Sequence, residues 1–144
     1  MSKKSLVLVI IQFVSFLFFG VTGGLFSTGV LLIFQVIGLA IGLWGIIAMK
    51  IGNFNVQPEV KSHAMMVTSG PYKIIRNPMY TGLLLFFGIS VLANFSFLRL
   101  VVLLILTLVL ILKIFMEEGF LKQKFGDVYT TYKKKTFRLI PFVF

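Results

Sequence analysis

Apolar residues dominate four stretches of the chain, about Ser5–Val21, Val30–Met49, Pro78–Ala93 and Phe97–Phe115, and polar residues concentrate in the gaps between them. Each stretch is apolar all round, the pattern of a helix surrounded by lipid rather than of one with a face in water. The pattern therefore predicts an all-α polytopic membrane protein with about four transmembrane helices. Thr22 to Gly29, rich in Gly, Ser and Thr, turns the chain between the first two helices, and Asn94-Phe95-Ser96 makes a tight turn between the last two. Pro78 suits the first turn of the third helix, where its missing N–H costs nothing. That third stretch is short for a full span.

After Glu118 the pattern changes. Leu121, Phe125, Val128, Tyr129 and Tyr132 recur at helical spacing, with lysines and Asp127 on the other faces. This predicts a C-terminal amphipathic helix, about 117–135, lying along the membrane interface. Pro141 ends it, and Phe142-Val143-Phe144 returns to the membrane. Within the second helix Gly38 and Gly42 form a G-x-x-x-G pair, which lets another helix approach closely.

The chain has 144 residues, 58% of them hydrophobic, enough for one membrane domain, 1–144, and little beyond loops and a tail. There is no cysteine, and His63 is the single histidine, so disulfides, thiolate nucleophiles and histidine clusters are excluded. With Glu59, Glu117, Glu118 and Asp127 as the only acids, no metal site is expected. A net charge of +10 raises the question of nucleic acid. The cations flank apolar spans, so anionic lipid headgroups are the expected partners, with no nucleic acid.

Those cations also orient the chain. Lys3 and Lys4, then Lys50, Lys61, Lys73 and Arg76, then Lys122, Lys124, Lys133, Lys134, Lys135 and Arg138 alternate with nearly uncharged connections; only Arg99 falls near the other side. The positive-inside rule places both termini and the central loop in the cytoplasm. The expected product is an integral multi-pass protein of the cell membrane in a bacterium, or of the endoplasmic reticulum in a eukaryote. Lys3-Lys4 and the apolar run behind them read as an uncleaved first helix, since no small-x-small cleavage site ends the run.

Chemistry concentrates in Ser69 to Gly82, which packs two prolines, two glycines, two tyrosines and two cations into an otherwise lipid-like chain. The topology brings this segment to the same boundary as Glu117-Glu118. Gly70-Pro71 permits a tight turn, Arg76 offers a fork of donors, and Tyr72 and Tyr80 offer rings with hydroxyls. Two carboxylates at the end of an apolar helix oppose its dipole and are costly unless hydrated, paired or used. Ordinary roles compete with functional ones: Arg76 and the Lys133–Lys135 run on headgroups, the tyrosines in an interfacial belt, His63 solvated in a loop.

The run Val67-Thr68-Ser69-Gly70-Pro71-Tyr72-Lys73 … Arg76-Asn77-Pro78-Met79-Tyr80-Thr81-Gly82 resembles the isoprenylcysteine carboxyl methyltransferase and phospholipid methyltransferase superfamily. So does Glu117-Glu118 … Leu121 … Phe125-Gly126 … Tyr129 … Tyr132 … Arg138-Leu139-Ile140-Pro141. The resemblance implies an integral membrane methyltransferase using S-adenosylmethionine. It implies a cofactor pocket lined by Gly70, Pro71, Tyr72, Arg76, Asn77, Pro78 and Tyr80 on one side and by Glu117 and Glu118 on the other. The catalytic group is unknown, with Arg76, Tyr80 and Glu118 as candidates. The implied acceptor is lipophilic or lipid-attached, an isoprenylcysteine-type carboxylate or a phospholipid-type amine. Asn77 stands where the family often has histidine, keeping a donor and an acceptor without titrating. Lys113, one turn before Glu117, stands nearest to where the family tends to carry arginine. A small four-helix transporter or a structural membrane subunit is the alternative. A transporter needs an intramembrane carboxylate, and the spans hold none before Glu117.

Overall fold

A computed structural model describes residues 2–53 and 55–144, with the backbone alone at 50–53. Lys50, expected among the loop charges, thus has its side chain outside the described residues. Four α-helices carry the architecture: α1 (Lys3–Val21), α2 (Val30–Asn53), α3 (Pro78–Ala93) and α4 (Phe97–Lys134). A short 3₁₀ turn, Gly70–Lys73, precedes α3. Helices α1, α2 and α4 are long and apolar enough to cross a membrane, while α3 is shorter.

The helices are built inside out relative to a soluble bundle. On α1 the buried positions are Ser5, Gln12, Ser15 and Phe19, a stripe along one face. Leu6, Val7, Ile10, Phe13, Val14, Leu17 and Val21 are exposed. In lipid this arrangement costs nothing, because bilayer tails are as apolar as a core, and polar groups gain by meeting inside. Helix α1 packs on α4, α2 on α3, and α3 on α4. Phe19, Phe87, Leu106, Leu110 and Ile114 fill the shared core, with the Phe19 and Phe87 rings 4.8 Å apart.

The G-x-x-x-G face meets α3. A Cβ on Gly82 would lie 2.5 Å from the Gly38 carbonyl oxygen and 2.6 Å from the Gly42 nitrogen, so the two backbones touch where no side chain fits. Gln35 fixes the neighbouring turn: its Oε1 accepts from the Ser27 N–H and O–H (both 2.8 Å), and its Nε2 donates to the Leu25 oxygen (2.7 Å).

The end of α4 departs from expectation. The sequence pattern places a helix end near Phe115 and a separate amphipathic helix behind it. Instead the helix runs through Glu117-Glu118 and breaks at Gly126 (φ 53°, ψ −124°). The carboxylates are therefore mid-helix, and their supposed opposition to a helix dipole does not arise. Gly126 takes the break because that backbone conformation is open to glycine and strained for other residues. Beyond it the chain turns back, and Phe137 pairs with the segment ahead of α3: Arg76 N–H donates to the Phe137 oxygen (2.8 Å), and Phe137 N–H to the Ile74 oxygen (2.9 Å). Asn77 Nδ2 donates to the Arg138 oxygen (3.0 Å) and Thr81 Oγ1 to the Leu139 oxygen (2.8 Å). The C-terminal segment is thus clasped to the motif that opens α3.

Candidate functional site

Two cavities meet at this clasped end of the bundle. The first, about 110 Å³, lies between residues 55–67, the start of α3 and the 117–132 stretch of α4. The second, about 270 Å³, is largely apolar and sits between α2 and α3, with Gln12 and Lys113 closing it. Asn55 and Met79 belong to both walls.

The two adjacent glutamates have separate jobs. Glu118 is 7% exposed and saturated with cations: Arg76 Nε and Arg138 Nε each reach Oε1 at 3.0 Å, while Arg138 Nη2 and Lys133 Nζ reach Oε2 at 3.0 Å. Arg76 also donates from Nη1 to the Lys133 oxygen (3.1 Å) and to the Thr136 carbonyl. Of the two roles open to it in the sequence, headgroup contact does not arise: the side chain is a strut joining α4 to the C-terminal segment. Lys133, also expected at the headgroups, pairs with Glu118 because the break at Gly126 brings it back. Charge-assisted bonds of this kind are the strong ones, and a forked guanidinium adds direction.

Glu117, in contrast, is half-buried in the first cavity and accepts a hydrogen bond on Oε1 from the Tyr80 hydroxyl. Tyr80 lines the second cavity, so this bond crosses the partition between the two. Behind the partition Lys113 is fully buried; its Nζ donates to Gln12 Oε1 (2.6 Å) and to the Val56 oxygen (2.7 Å) and lies 5.3 Å from the centre of the Tyr80 ring. One buried cation, Lys113, thus lines the second cavity, whereas the carboxylates of Glu59, Glu117 and Glu118 line the first.

The remaining predicted residues divide. Tyr72, Arg76, Asn77, Glu117 and Glu118 line the first cavity. Gly70, Pro71 and Pro78 do not. Gly70 backs onto Trp44 and Ala48, and a Cβ there would meet the Ala48 Cβ at 3.2 Å. Pro71 and Pro78 are buried in the turn and the first turn of α3. These three shape the loop that presents Tyr72 and Asn77. Burial, and then the charge of Glu117, pushes the Tyr72 phenol well up, so it stays a neutral donor, here to the Gly45 oxygen at 3.4 Å. The Tyr72 carbonyl is held from behind by the Tyr132 hydroxyl at 2.7 Å.

Leu121, Phe125, Tyr129 and Tyr132 of the C-terminal stripe line the first cavity, while Val128 is 63% exposed. Glu59 closes the opposite wall and ties down α1, accepting from Ser2 N–H (3.0 Å) and Ser5 O–H (2.7 Å). Sequence reasoning passed over Gln12, Asn55 and Glu59 and gave Lys113 no site. For Gln12 and Lys113 the signal was present: each is a polar residue interrupting an apolar run, where such residues are kept for a purpose. For Asn55 and Glu59, loop residues in a polar stretch, no local signal existed.

A sequence model of a protein family described as phospholipid methyltransferase matches residues 24–128. No curated protein matches the chain.

Proposed function

The chain belongs to the phospholipid methyltransferase family, and from that premise we propose that it transfers a methyl group from S-adenosylmethionine to a lipophilic or lipid-attached acceptor at the cytoplasmic face of a membrane. The observation that carries this reading is the Tyr80–Glu117 bond across the partition between a cavity with charged groups in its wall, Arg76 and Glu117 among them, and a more apolar one. A reaction between a water-soluble donor and a membrane-borne acceptor requires two such compartments in contact.

The first cavity suits the cofactor's chemistry. Glu117 offers a carboxylate for a ligand with ammonium and sulfonium charges, Asn55 and Gln57 offer amides for hydroxyls, and Phe125 and Tyr129 offer apolar faces for a purine. Glu118 has no such role, its oxygens being engaged by Arg76, Arg138 and Lys133. When bound, the cofactor supplies an electrophilic methyl group. The protein's part is to hold donor and acceptor in line and to exclude water, which the mostly apolar second cavity does. Tyr80 keeps Glu117 aimed. A carboxylate acceptor arrives as a nucleophile and needs no base. An amine acceptor must lose a proton, and Glu117, linked to Tyr80, is the nearest acceptor for it. The basic residues at this end of the bundle support the cytoplasmic assignment.

Titration of the purified protein in detergent with S-adenosylmethionine, and with its demethylated product, tests the proposal. Saturable binding is expected, weakened ~10-fold or more in Glu117→Gln, since a hydrogen bond to a charged group contributes about 1.5–3 kcal/mol. No saturable binding by a folded parent protein overturns it. Labelled-methyl transfer into a lipid extract then identifies the acceptor.

A further inference from the structure

We propose that residues 55–67 form a lid over the first cavity, one that lifts to admit the methyl donor. The inference rests on the donor assignment above and starts from a mismatch of size. The cavity measures about 110 Å³, whereas pockets that enclose drug-sized ligands measure roughly 300–1,000 Å³. A nucleoside joined to an amino acid is a ligand of that size, and it enters only if one wall gives way.

Two of the three walls are fixed. Tyr72 and Asn77 belong to the segment that opens α3, and Glu117, Leu121 and Tyr129 belong to α4. The cluster of Arg76, Glu118 and Arg138 joins these walls, and the Tyr132 hydroxyl closes on the Tyr72 oxygen at 2.7 Å. Breaking a largely buried ion cluster costs far more than breaking hydrogen bonds that water can replace. The third wall is the 55–67 segment, which contains neither helix nor strand.

The fastenings of this segment differ along its length. Next to α2, the Val56 oxygen accepts from Lys113 Nζ at 2.7 Å, and Lys113 is fully buried. That end is anchored. Further on, Glu59 is tied to the start of α1 by the Ser2 N–H and the Ser5 hydroxyl. A second latch comes from α4, where Lys124 Nζ donates to the Lys61 oxygen and, at 2.9 Å, to the Ser62 oxygen. Ser62 and Lys124 are exposed, so water takes over these bonds at small net cost. Segments fastened by solvent-exposed hydrogen bonds are the ones that open locally. The lid therefore hinges near Val56 and opens from the Glu59–Ser62 side. Its lifting withdraws Pro58, which is buried in the cavity wall, and enlarges the cavity.

The chain has no cysteine, so Ser62→Cys with Lys124→Cys places a single thiol pair across the second latch, outside the cavity wall. In the full-length protein in detergent, a short bis-methanethiosulfonate bridges the pair and ties the lid to α4; dithiothreitol releases it. The probe is the demethylated product of the donor, which binds without reacting. Bridging is expected to slow its association ~10-fold or more, and reduction to restore the rate. An unaltered rate in the bridged protein overturns the lid, as does equal slowing when each thiol is capped singly with methyl methanethiosulfonate. A folded parent protein that binds neither donor nor product overturns the donor assignment instead. Tryptic cleavage after Lys61 then decides the lid without a ligand, and does so equally if the cysteine pair does not fold, because cleavage tracks the open population. Lys124→Met, lacking one latch, should be cut there ~5-fold faster than the parent. Equal cleavage rates overturn the lid.

Discussion

Glu118 and Lys133 are 15 residues apart (133 − 118) in a segment that is helical on both sides of one break, yet their charged atoms are 3.0 Å apart. A straight helix would separate them by ~22 Å along its axis. The contact therefore exists because Gly126 reverses the chain. Gly126→Ala forces a side chain into a left-handed conformation, at a cost of about 1–2 kcal/mol. The expected result is a lower melting midpoint in detergent and faster tryptic cleavage at Lys133, Lys134 and Lys135. Unchanged cleavage kinetics would show that the reversal does not depend on glycine.

The adjacent glutamates should separate cleanly on mutation. Glu118→Gln leaves Arg76 and Arg138 without their common anion and is expected to cost about 3 kcal/mol, the lower end for a buried pair since Lys133 is 44% exposed. Glu117→Gln should lose donor affinity while unfolding at nearly the parent temperature. Thermal melts beside donor titrations for both variants check this, and the opposite pattern would exchange the roles assigned here.

The α2–α3 contact predicts a graded series. Gly82→Ala drives a methyl into the backbone of Gly38 and Gly42 and should cost about 3 kcal/mol. At Gly38 the nearest atoms would stand 3.0 Å away, so Gly38→Ala should cost about 1 kcal/mol. Gly42→Ala, with nothing nearer than 3.9 Å, should be within about 0.5 kcal/mol of the parent. Detergent melts rank the three, and a Gly42 variant worse than Gly82 would refute the crossing.

Lys113 should set the preferred charge of the acceptor. A cation behind the Tyr80 wall of the apolar cavity favours an anionic substrate group over a cationic amine. Lys113→Met is expected to raise KM for a lipophilic carboxylate ~10-fold and to leave donor affinity nearly unchanged. Methyl incorporation assays with matched carboxylate and amine lipids give the answer; an amine preference in the parent would remove this role.

Glu59 supplies a pH dependence. Burial raises its carboxyl, but the Ser2 N–H and the Ser5 hydroxyl outweigh that and hold it below the ordinary glutamate value. A depressed folded-state value means stability that is present above the unfolded value, about 4.3, and is lost as pH falls through the folded one. The gap in melting midpoint between the parent and Glu59→Ala should therefore be constant near neutrality and close below about pH 4. A gap that widens in acid would contradict the bonding described for Ser2 and Ser5.

The four helices were readable because lipid-facing apolar runs are a strong one-dimensional signal, and Pro78 marked the start of α3 for a local reason. The end of α4 was not readable in the same way. Polarity changes at Glu117, but a helix need not stop where its solvent changes, and the break waits for Gly126 nine residues later (126 − 117). Glu117 and Glu118 looked alike in sequence. They differ because consecutive helical positions point about 100° apart, one toward a cavity and one toward arginines from distant segments. That partnership between Arg76, Glu118 and Arg138 depends on tertiary return of the chain, which no local spacing encodes. Gly82 was legible as a motif residue but not as the partner of Gly38.

Where Gly82 meets Gly38 and Gly42, backbone rests on backbone, with no side chain to rotate aside. Such a seam cannot breathe: α2 and α3 must travel as one rigid plate. Any doorway through which a lipid reaches the apolar cavity therefore opens along the seams with α1 or α4, or beneath the 55–67 segment. The hinges of this protein belong on the far side of its glycines.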